Sequence, residues 1–297
     1  MVSSFDILFR VGGMRVNCID PEHMQMLKSA GCVCILYGME TGSEKMLKVM
    51  EKKVKLQDNY DAMRLTIENG IYTVVQLVIG MPGESPSTIR ETCDFAIYAN
   101  TLEEWQKPWN VSVNYAQALP GTPLYEYALR IGLIDPTLEG EEAYLLKISD
   151  KNAADGDMTL NLTSYPYFIH RSYRELIMLK VLNAYIVKFG KEKYTKMLLS
   201  DTRYFKRNVS EETGYFNSPK KDIQKAVASD ISDSINDVRE IENINNSLLP
   251  SMFFLLKERK RTLLFLCYPE ICVKFVKLLP FFWLLKSIRS NGLKETL

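Results

Sequence analysis

Four short apolar runs, each separated from the next by a helix-like stretch, constrain the first part of the chain more than any other feature. FDILFRV (5–11), CVCILYGM (32–39), TVVQLVIG (73–80) and VSVNYAQA (111–118) read as strands. Asp20 before Pro21 is a plausible N-cap with proline in the first turn, and Gly31 a stop, so a helix is expected between the first two strands. Ser43 is expected to cap a short helix carrying Met46, Leu47 and Met50. Asp58 or Asn59 opens another that ends at Gly70, and Ser85-Pro86 opens one that runs to about Asn100. Strands that alternate with helices in this way form a parallel sheet through crossover connections. The third run is apolar almost throughout, as a strand covered on both faces should be.

The expected fold is α/β, with a partial parallel (β/α) barrel of about four strands in residues 1–130. A connector follows at 131–165 and a helical C-terminal region at 166–297. DKNAADGD (150–157) is polar and rich in turn formers, which suits a boundary, and residues 200–250 read as a polar linker. Four such strands make half to two-thirds of a barrel. An isolated four-stranded parallel sheet leaves open edges, so further strands are expected upstream of the first run.

Charge and cysteine usage exclude several classes. The 297 residues carry 37 Lys and Arg against 36 Asp and Glu, a net charge of +1, so no nucleic-acid partner is indicated. Asp6, Arg10 and Arg15 interrupt the segment where a secretory leader would lie. The six cysteines are scattered, and none forms a CxxC or CxxxCxxC run. That usage fits a reducing cytosol rather than a disulfide scaffold. Cys32 and Cys34, alternate residues of one strand, are expected on one face, but with no histidine nearby they make no metal site. His23 and His170 fall on helical patterns and are expected to face solvent. Neither pairs with a serine or cysteine nucleophile.

Three blocks taken together resemble the second half of a radical S-adenosylmethionine (SAM) barrel. They are RVNCIDPEHMQMLKSAGC (15–32) running into ILYGMETGSEKMLKVMEKK (35–53), then GIYTVVQLVIGMPGES (70–85), then ALPGTPLYEYA (118–128). The radical SAM family has, in this order, an arginine, a helix ending in Ala-Gly-Cys, and a strand ending in Gly-x-Glu-Ser-Gly. A strand ending in Ile-Gly-x-Pro-Gly-Glu and then Pro-Gly-Thr-Pro-Leu-Tyr follow; here Thr41 stands where serine is usual. DMTLNLTSYP (157–166) and the helical tail are similar to the subgroup with an N-terminal cobalamin-binding domain. The resemblance implies SAM and a 4Fe–4S cluster as cofactors, with cobalamin in the full-length protein. It implies cleavage of SAM to a 5′-deoxyadenosyl radical, then hydrogen abstraction or methyl transfer on a small-molecule or lipid-like substrate. The family's cluster is held by CxxxCxxC after the first barrel strand. No residues here match that motif, so this chain alone is expected to be inactive. It then reads as the C-terminal part of an enzyme, as half of a split enzyme whose partner chain supplies the rest, or as a cluster-free binding module.

The resemblance assigns cofactor contacts to Glu40, Arg15, Gln76, Thr41 and Gly80, and the substrate cavity to Asn114 and Thr122; no catalytic residue or metal ligand is assigned. Each has a plainer reading. Glu40, at the C-terminal end of its strand, can accept from SAM's ribose or ammonium group or simply order its loop, and Gly38 and Gly42 beside it permit close approach. Arg15 can meet a carboxylate with its planar fork or lie on the surface. Gln76 and Asn114, polar in apolar strands, suit a ligand or a polar core network. Gly80 allows a flat ligand near the backbone, while Glu84 can act as a cap beside Ser85. Thr122 lies in what reads most simply as a rigid turn. Segment 252–289 mixes apolar residues with Lys257, Arg259, Lys260, Arg261, Lys274, Lys277, Lys286 and Arg289. Pro269 and Pro280 interrupt it, so it reads as an interfacial helix at the inner membrane face or as helices packed on other parts of the protein.

Overall fold

The computed structural model describes residues 8–149, 159–200, 265 and 267–291. The expected boundary at 150–157, residues 201–250 of the expected polar linker and the start of the apolar basic segment lie outside the described residues. Four strands form: β1 (Phe9–Met14), β2 (Cys32–Tyr37), β3 (Val75–Ile79) and β4 (Val111–Tyr115). The helices between them are α1 (Pro21–Ser29), α2 (Glu44–Val49), α3 (Leu56–Glu68) and α4 (Pro86–Asn100). After β4 come α5 (Pro123–Arg130), α6 (Leu138–Ser149), α7 (Tyr167–Phe189) and α8 (Lys191–Ser200), and later α9 (Pro269–Cys272) and α10 (Leu279–Asn291).

All pairing is parallel. β1 pairs with β2 and β3 with β4, and isolated bridges at Cys34–Tyr72 and Glu40–Leu77 join β2 to β3. The spatial order therefore follows the chain, as expected of successive βα units. Asp20 accepts the His23 N–H at 2.9 Å to start α1, and Ser85 with Thr88 forms a capping box on α4. Two helix starts differ from the sequence reading. α3 begins at Leu56, because Asp58 accepts the Lys55 N–H at 2.8 Å from the third helical position and makes Lys55, three residues earlier, the cap. Ser43 precedes α2 without making a side-chain cap.

One face of the sheet carries the core. Ile35, Tyr37 and Met39 meet Val75, Leu77, Ile79, Val113 and Tyr115 there, covered by Met24 of α1, Met63 and Ile67 of α3, Ile89, Phe95 and Ala96 of α4, and Ile177 and Val181 of α7. α7 thus packs into the core of the strands. β3 is sealed on this face only. Gln76 and Val78 are half-buried, so its apolar run does not mark a strand covered equally on both sides. A smaller cluster of Ala116, Ala118, Tyr125 and Tyr144 packs Val78 and Met81 beyond the end of β4. An irregularity between Phe9 and Arg10 pairs these neighbours with Cys32 and Cys34 and leaves Val33 unmatched. Cys32 consequently joins the core while Cys34 does not, which breaks the expected shared face.

The described residues divide into two compact units. One holds the chain through Ala184 together with the segment from Phe275, and the other holds Tyr185–Lys274. Within the second, Lys191 donates to the Cys267 carbonyl at 2.5 Å and pairs with Glu270 at 3.0 Å. Pro269 and Pro280 sit at the starts of α9 and α10, where a missing N–H costs nothing. Among the described residues no helix is long and apolar enough to cross a membrane.

Gly42 marks the tightest approach between the β2 loop and α4. A Cβ there would lie 2.5 Å from Phe95 Cβ and 2.7 Å from the Glu91 carbonyl and Thr92 Cα. Backbone atoms cannot step aside as a flexible side chain can. Gly42→Ala is expected to lower unfolding free energy by about 2 kcal/mol or more, measured by urea denaturation.

Candidate functional site

The C-terminal ends of β2 and β3 gather most of the polar residues singled out in the sequence. Glu40 forms a parallel bridge with β3. Its N–H donates to the Gln76 carbonyl at 3.0 Å, and its own carbonyl accepts the Val78 N–H at 2.7 Å. Its φ is 65°, in the left-handed region that disfavours a residue with a side chain. The carboxylate turns back over Gly38, where a Cβ would come within 3.0 Å of Glu40 Oε1, and reaches Lys52 Nζ at 2.5 Å. Arg15 is exposed and donates from Nη2 to the Lys52 carbonyl at 3.0 Å. Glu51 and Lys53, on either side of Lys52, also have positive φ, at 51° and 53°. Lys52 therefore sits on a tight turn that brings a cation between Arg15 and Glu40.

The loop bearing Glu40 is anchored from behind. Thr92 donates to the Thr88 carbonyl at 3.0 Å, so the 2.9 Å contact between the two hydroxyls makes Thr41 the donor to Thr92. Thr92 Oγ1 also accepts the Gly42 N–H at 3.2 Å, and Thr41 Oγ1 accepts the Ser43 N–H at 3.2 Å. Asn59 of α3 donates to the carbonyls of Met39 and Thr41, at 3.1 and 3.2 Å. Thr41, Asn59 and Thr92 are fully buried. The hydroxyl of Thr41, expected at a cofactor, thus holds the loop to α4. Gly42, expected to admit a ligand, admits α4 instead.

Gln76 and Asn114 lie on the sheet face opposite the core. The β3–β4 register sets Gln76 beside Ser112 and Val78 beside Asn114, and Asn114 donates to Ser112 Oγ at 3.3 Å. At the end of β3, Gly80 has φ 88° and donates its N–H to Glu84 Oε2. Glu84 is buried, not a helix cap; Ser85 caps α4 together with Thr88. Burial raises the Glu84 carboxyl to about 7, and the Gly80 N–H partly offsets that. Lys45 of α2 donates to the Gly83 carbonyl at 3.0 Å, tying the loops after β2 and β3 together.

Two placements correct the sequence reading. His170 is fully buried, because α7 turns this face toward Gly80, Tyr115 and Tyr173 rather than to solvent. Thr122 is the N-cap of α5, accepting the Tyr125 N–H at 3.3 Å and donating to the Leu119 carbonyl at 2.6 Å. It borders a shallow depression with Glu126, Tyr127 and Arg130 rather than the group around Glu40. Lys52, Asn59 and Thr92 were missed, because a lysine in a Lys-Lys pair and polar residues inside helices carry no local signal of a contact made far along the chain.

The site offers a carboxylate, an ammonium and a guanidinium beside Gly38. That set suits an amino acid zwitterion with adjoining hydroxyls. It does not suit an iron–sulfur cluster. Among the described residues no three metal-ligating side chains come together, and Cys32 and Cys93 are buried.

Residues 3–96 match the family model of the Radical SAM superfamily. The chain is 30% identical over 119 residues to a putative methylthiotransferase of Methanocaldococcus jannaschii, covering 40% of this chain and 25% of that protein. It is 27% identical over 120 residues to an uncharacterized methyltransferase of Pyrococcus horikoshii, with the same coverage of 40% and 25%. A tryptophan 2-C-methyltransferase of Streptomyces laurentii is 35% identical over 81 residues, 25% of this chain and 14% of that one. The chain thus spans about a quarter of the length of the first two relatives. Among solved structures, the radical SAM methyltransferase TsrM from Kitasatospora setae, with cobalamin and a 4Fe–4S cluster bound, is 28% identical with a TM-score of 0.33. It covers 40% of this chain and 24% of that one. The resemblance seen in the motifs is borne out at the level of the superfamily.

Because the Thr41–Thr92 contact is a single direct bond between two buried hydroxyls, its coupling can be measured by a double-mutant cycle. Thr41→Val and Thr92→Val are each expected to cost about 1–2 kcal/mol, with a coupling of at least ~0.5 kcal/mol in urea unfolding.

Proposed function

We propose, from the premise that residues 3–96 form a radical SAM superfamily domain, that the ends of β2 and β3 bind SAM. The observation that carries this reading is Glu40 itself. A glutamate held at positive φ costs on the order of 1 kcal/mol relative to glycine. Its half-buried ion pair with Lys52 returns at most a similar amount. Such an outlier points to a use for the carboxylate beyond folding.

In this reading Glu40 accepts from the ammonium or ribose hydroxyls of SAM, and Lys52 and Arg15 receive its carboxylate. Gly38 lets the backbone lie close to the ligand, while Gly80, whose Cβ space is taken by His170, shapes the turn beside it. Gln76 and Asn114, on the face opposite the core, border the space where a substrate enters. Bound SAM supplies the reactive carbon for chemistry of the radical SAM kind; these residues orient it and exclude water.

Cluster ligands are not among these 297 residues in the family's CxxxCxxC form. The proposal therefore assigns the cluster, and the strands that complete a barrel, to sequence or a partner chain beyond these residues. Methyltransferase names among the relatives, one of them acting on tryptophan, favour methyl transfer to a small molecule, with cobalamin as the carrier, over other C–H chemistry. The exposed Phe281 and Phe282 of α10 keep an anionic membrane surface as a proposed partner for the C-terminal segment.

The test separates binding from stability. Titration of the chain with S-adenosylhomocysteine should shift backbone amide resonances of residues 38–40, Gln76 and Gly80. Glu40→Gly should leave the unfolding free energy unchanged or raise it by up to about 1 kcal/mol while weakening binding roughly tenfold or more. Shifts confined to α5 and the Thr122 turn would overturn the assignment.

A further inference from the structure

Around Gly80 the fold buries three polar side chains whose partners are not supplied by the surrounding protein. Glu84 Oε2 accepts the Gly80 N–H, but Glu84 Oε1 has no hydrogen-bond partner. His170 lies against the same glycine, so that a Cβ at position 80 would collide with Nε2, and neither ring nitrogen is hydrogen-bonded. The Tyr173 hydroxyl, one turn further along α7, is likewise unpartnered, and the charge of Glu84 acts on it. Exposure is 1% for Glu84, 0% for His170 and 3% for Tyr173. Buried groups of this kind are met by a partner or by ordered water in folded proteins. Four such atoms converging on one turn mark a built polar site rather than a scattered defect.

We propose that Glu84, His170 and Tyr173 form one hydrogen-bonded set, bridged by internal water, that clamps the turn after β3 to α7 and so positions Gly80. The inference rests on the reading of Gly80 as a wall of the SAM site; in that reading His170 and Tyr173 are positioning residues.

The protonation states agree with such a set. Burial, with Arg171 adding to it, lowers the His170 imidazole to about 4. The ring is then neutral at pH 6, able to accept at one nitrogen and donate at the other. Glu84, raised to about 7, is largely the neutral acid at pH 6 and can donate. Tyr115 of β4 meets the ring edge-on at 4.9 Å and is held un-ionised by its own burial. Arg171, Arg174, Glu175 and Tyr167 of α7 act electrostatically on Tyr115, Tyr167 also lies 6.3 Å from the His170 ring, and Tyr165 acts on Tyr173. The two titrations act in opposite directions. His170, with its folded pKa depressed, withdraws stability as pH falls from about 6.5 toward 4. Glu84, with its folded pKa raised, withdraws stability as pH rises from about 4.5 through 7.

The chain has two histidines, and exposed His23 serves as an internal reference. Long-range nitrogen spectra of histidine-labelled protein from pH 5.5 to 8 should show His170 neutral throughout. Glu84→Gln should move the His170 ring nitrogens and leave those of His23 in place. Tyr173→Phe, which removes a single hydroxyl, serves if the first variant does not fold, and should speed amide exchange in residues 80–84 roughly tenfold. Titration of His170 within that pH range, or ring nitrogens unmoved by either variant, would overturn the set. These spectra involve no SAM analogue. A failed S-adenosylhomocysteine titration would remove the consequence for the pocket and leave the set standing.

Discussion

The hydroxyl contact between Thr41 and Thr92 is the point on which the arrangement around Glu40 depends. It is fully buried, and both hydroxyls take further bonds, from the Ser43 and Gly42 amides. Asn59 grips the carbonyls on either side of Glu40. With α3 and α4 holding the loop from behind, the backbone at Glu40 is fixed by its neighbours and by β3, and the positive φ is sustained by that surrounding structure. The carboxylate then has one direction left, over Gly38 toward Lys52. The charged pair thus rests on a buried, uncharged network of hydrogen bonds.

The turn after β3 follows the same logic with different chemistry. Here a buried carboxyl on the Gly80 amide and an imidazole against its α carbon replace the threonine pair. Lys45 joins the two loops through the Gly83 carbonyl. Both strand ends are therefore braced from the core side. The opposite face, with Gln76, Ser112 and Asn114, is left half-buried. The match of residues 3–96 to the Radical SAM superfamily model is what directs attention to this half-buried face as the side where the proposed ligand would lie.

Strand and helix order was legible because it depends on local pattern. Apolar runs, Asp20 with Pro21, and Ser85 with Pro86 set β2, β3, α1 and α4 without reference to the rest of the chain. Glu40, Gln76 and Gly80 could be placed near one another because parallel strands align their C-terminal ends. What could not be read was side-chain direction at special backbone positions. Thr41 follows a residue with positive φ, so strand alternation fails there and its hydroxyl turns inward. Cys32 and Cys34 part company at a register irregularity. His170 looked like a surface residue because α7 offers tyrosine, isoleucine and leucine on several sides, and only its contact with Gly80, 90 positions away by the numbering, shows which side is inside.

A crystal structure of the chain with S-adenosylhomocysteine tests the account most directly. The account predicts ligand density over Gly38 and Gly80, with Glu40 Oε1 or Oε2 in hydrogen-bond contact with the ligand and Thr41 still bonded to Thr92. Density seated elsewhere with the Glu40–Lys52 pair undisturbed, or a β2 loop that rearranges to release Thr41 toward the ligand, would contradict it.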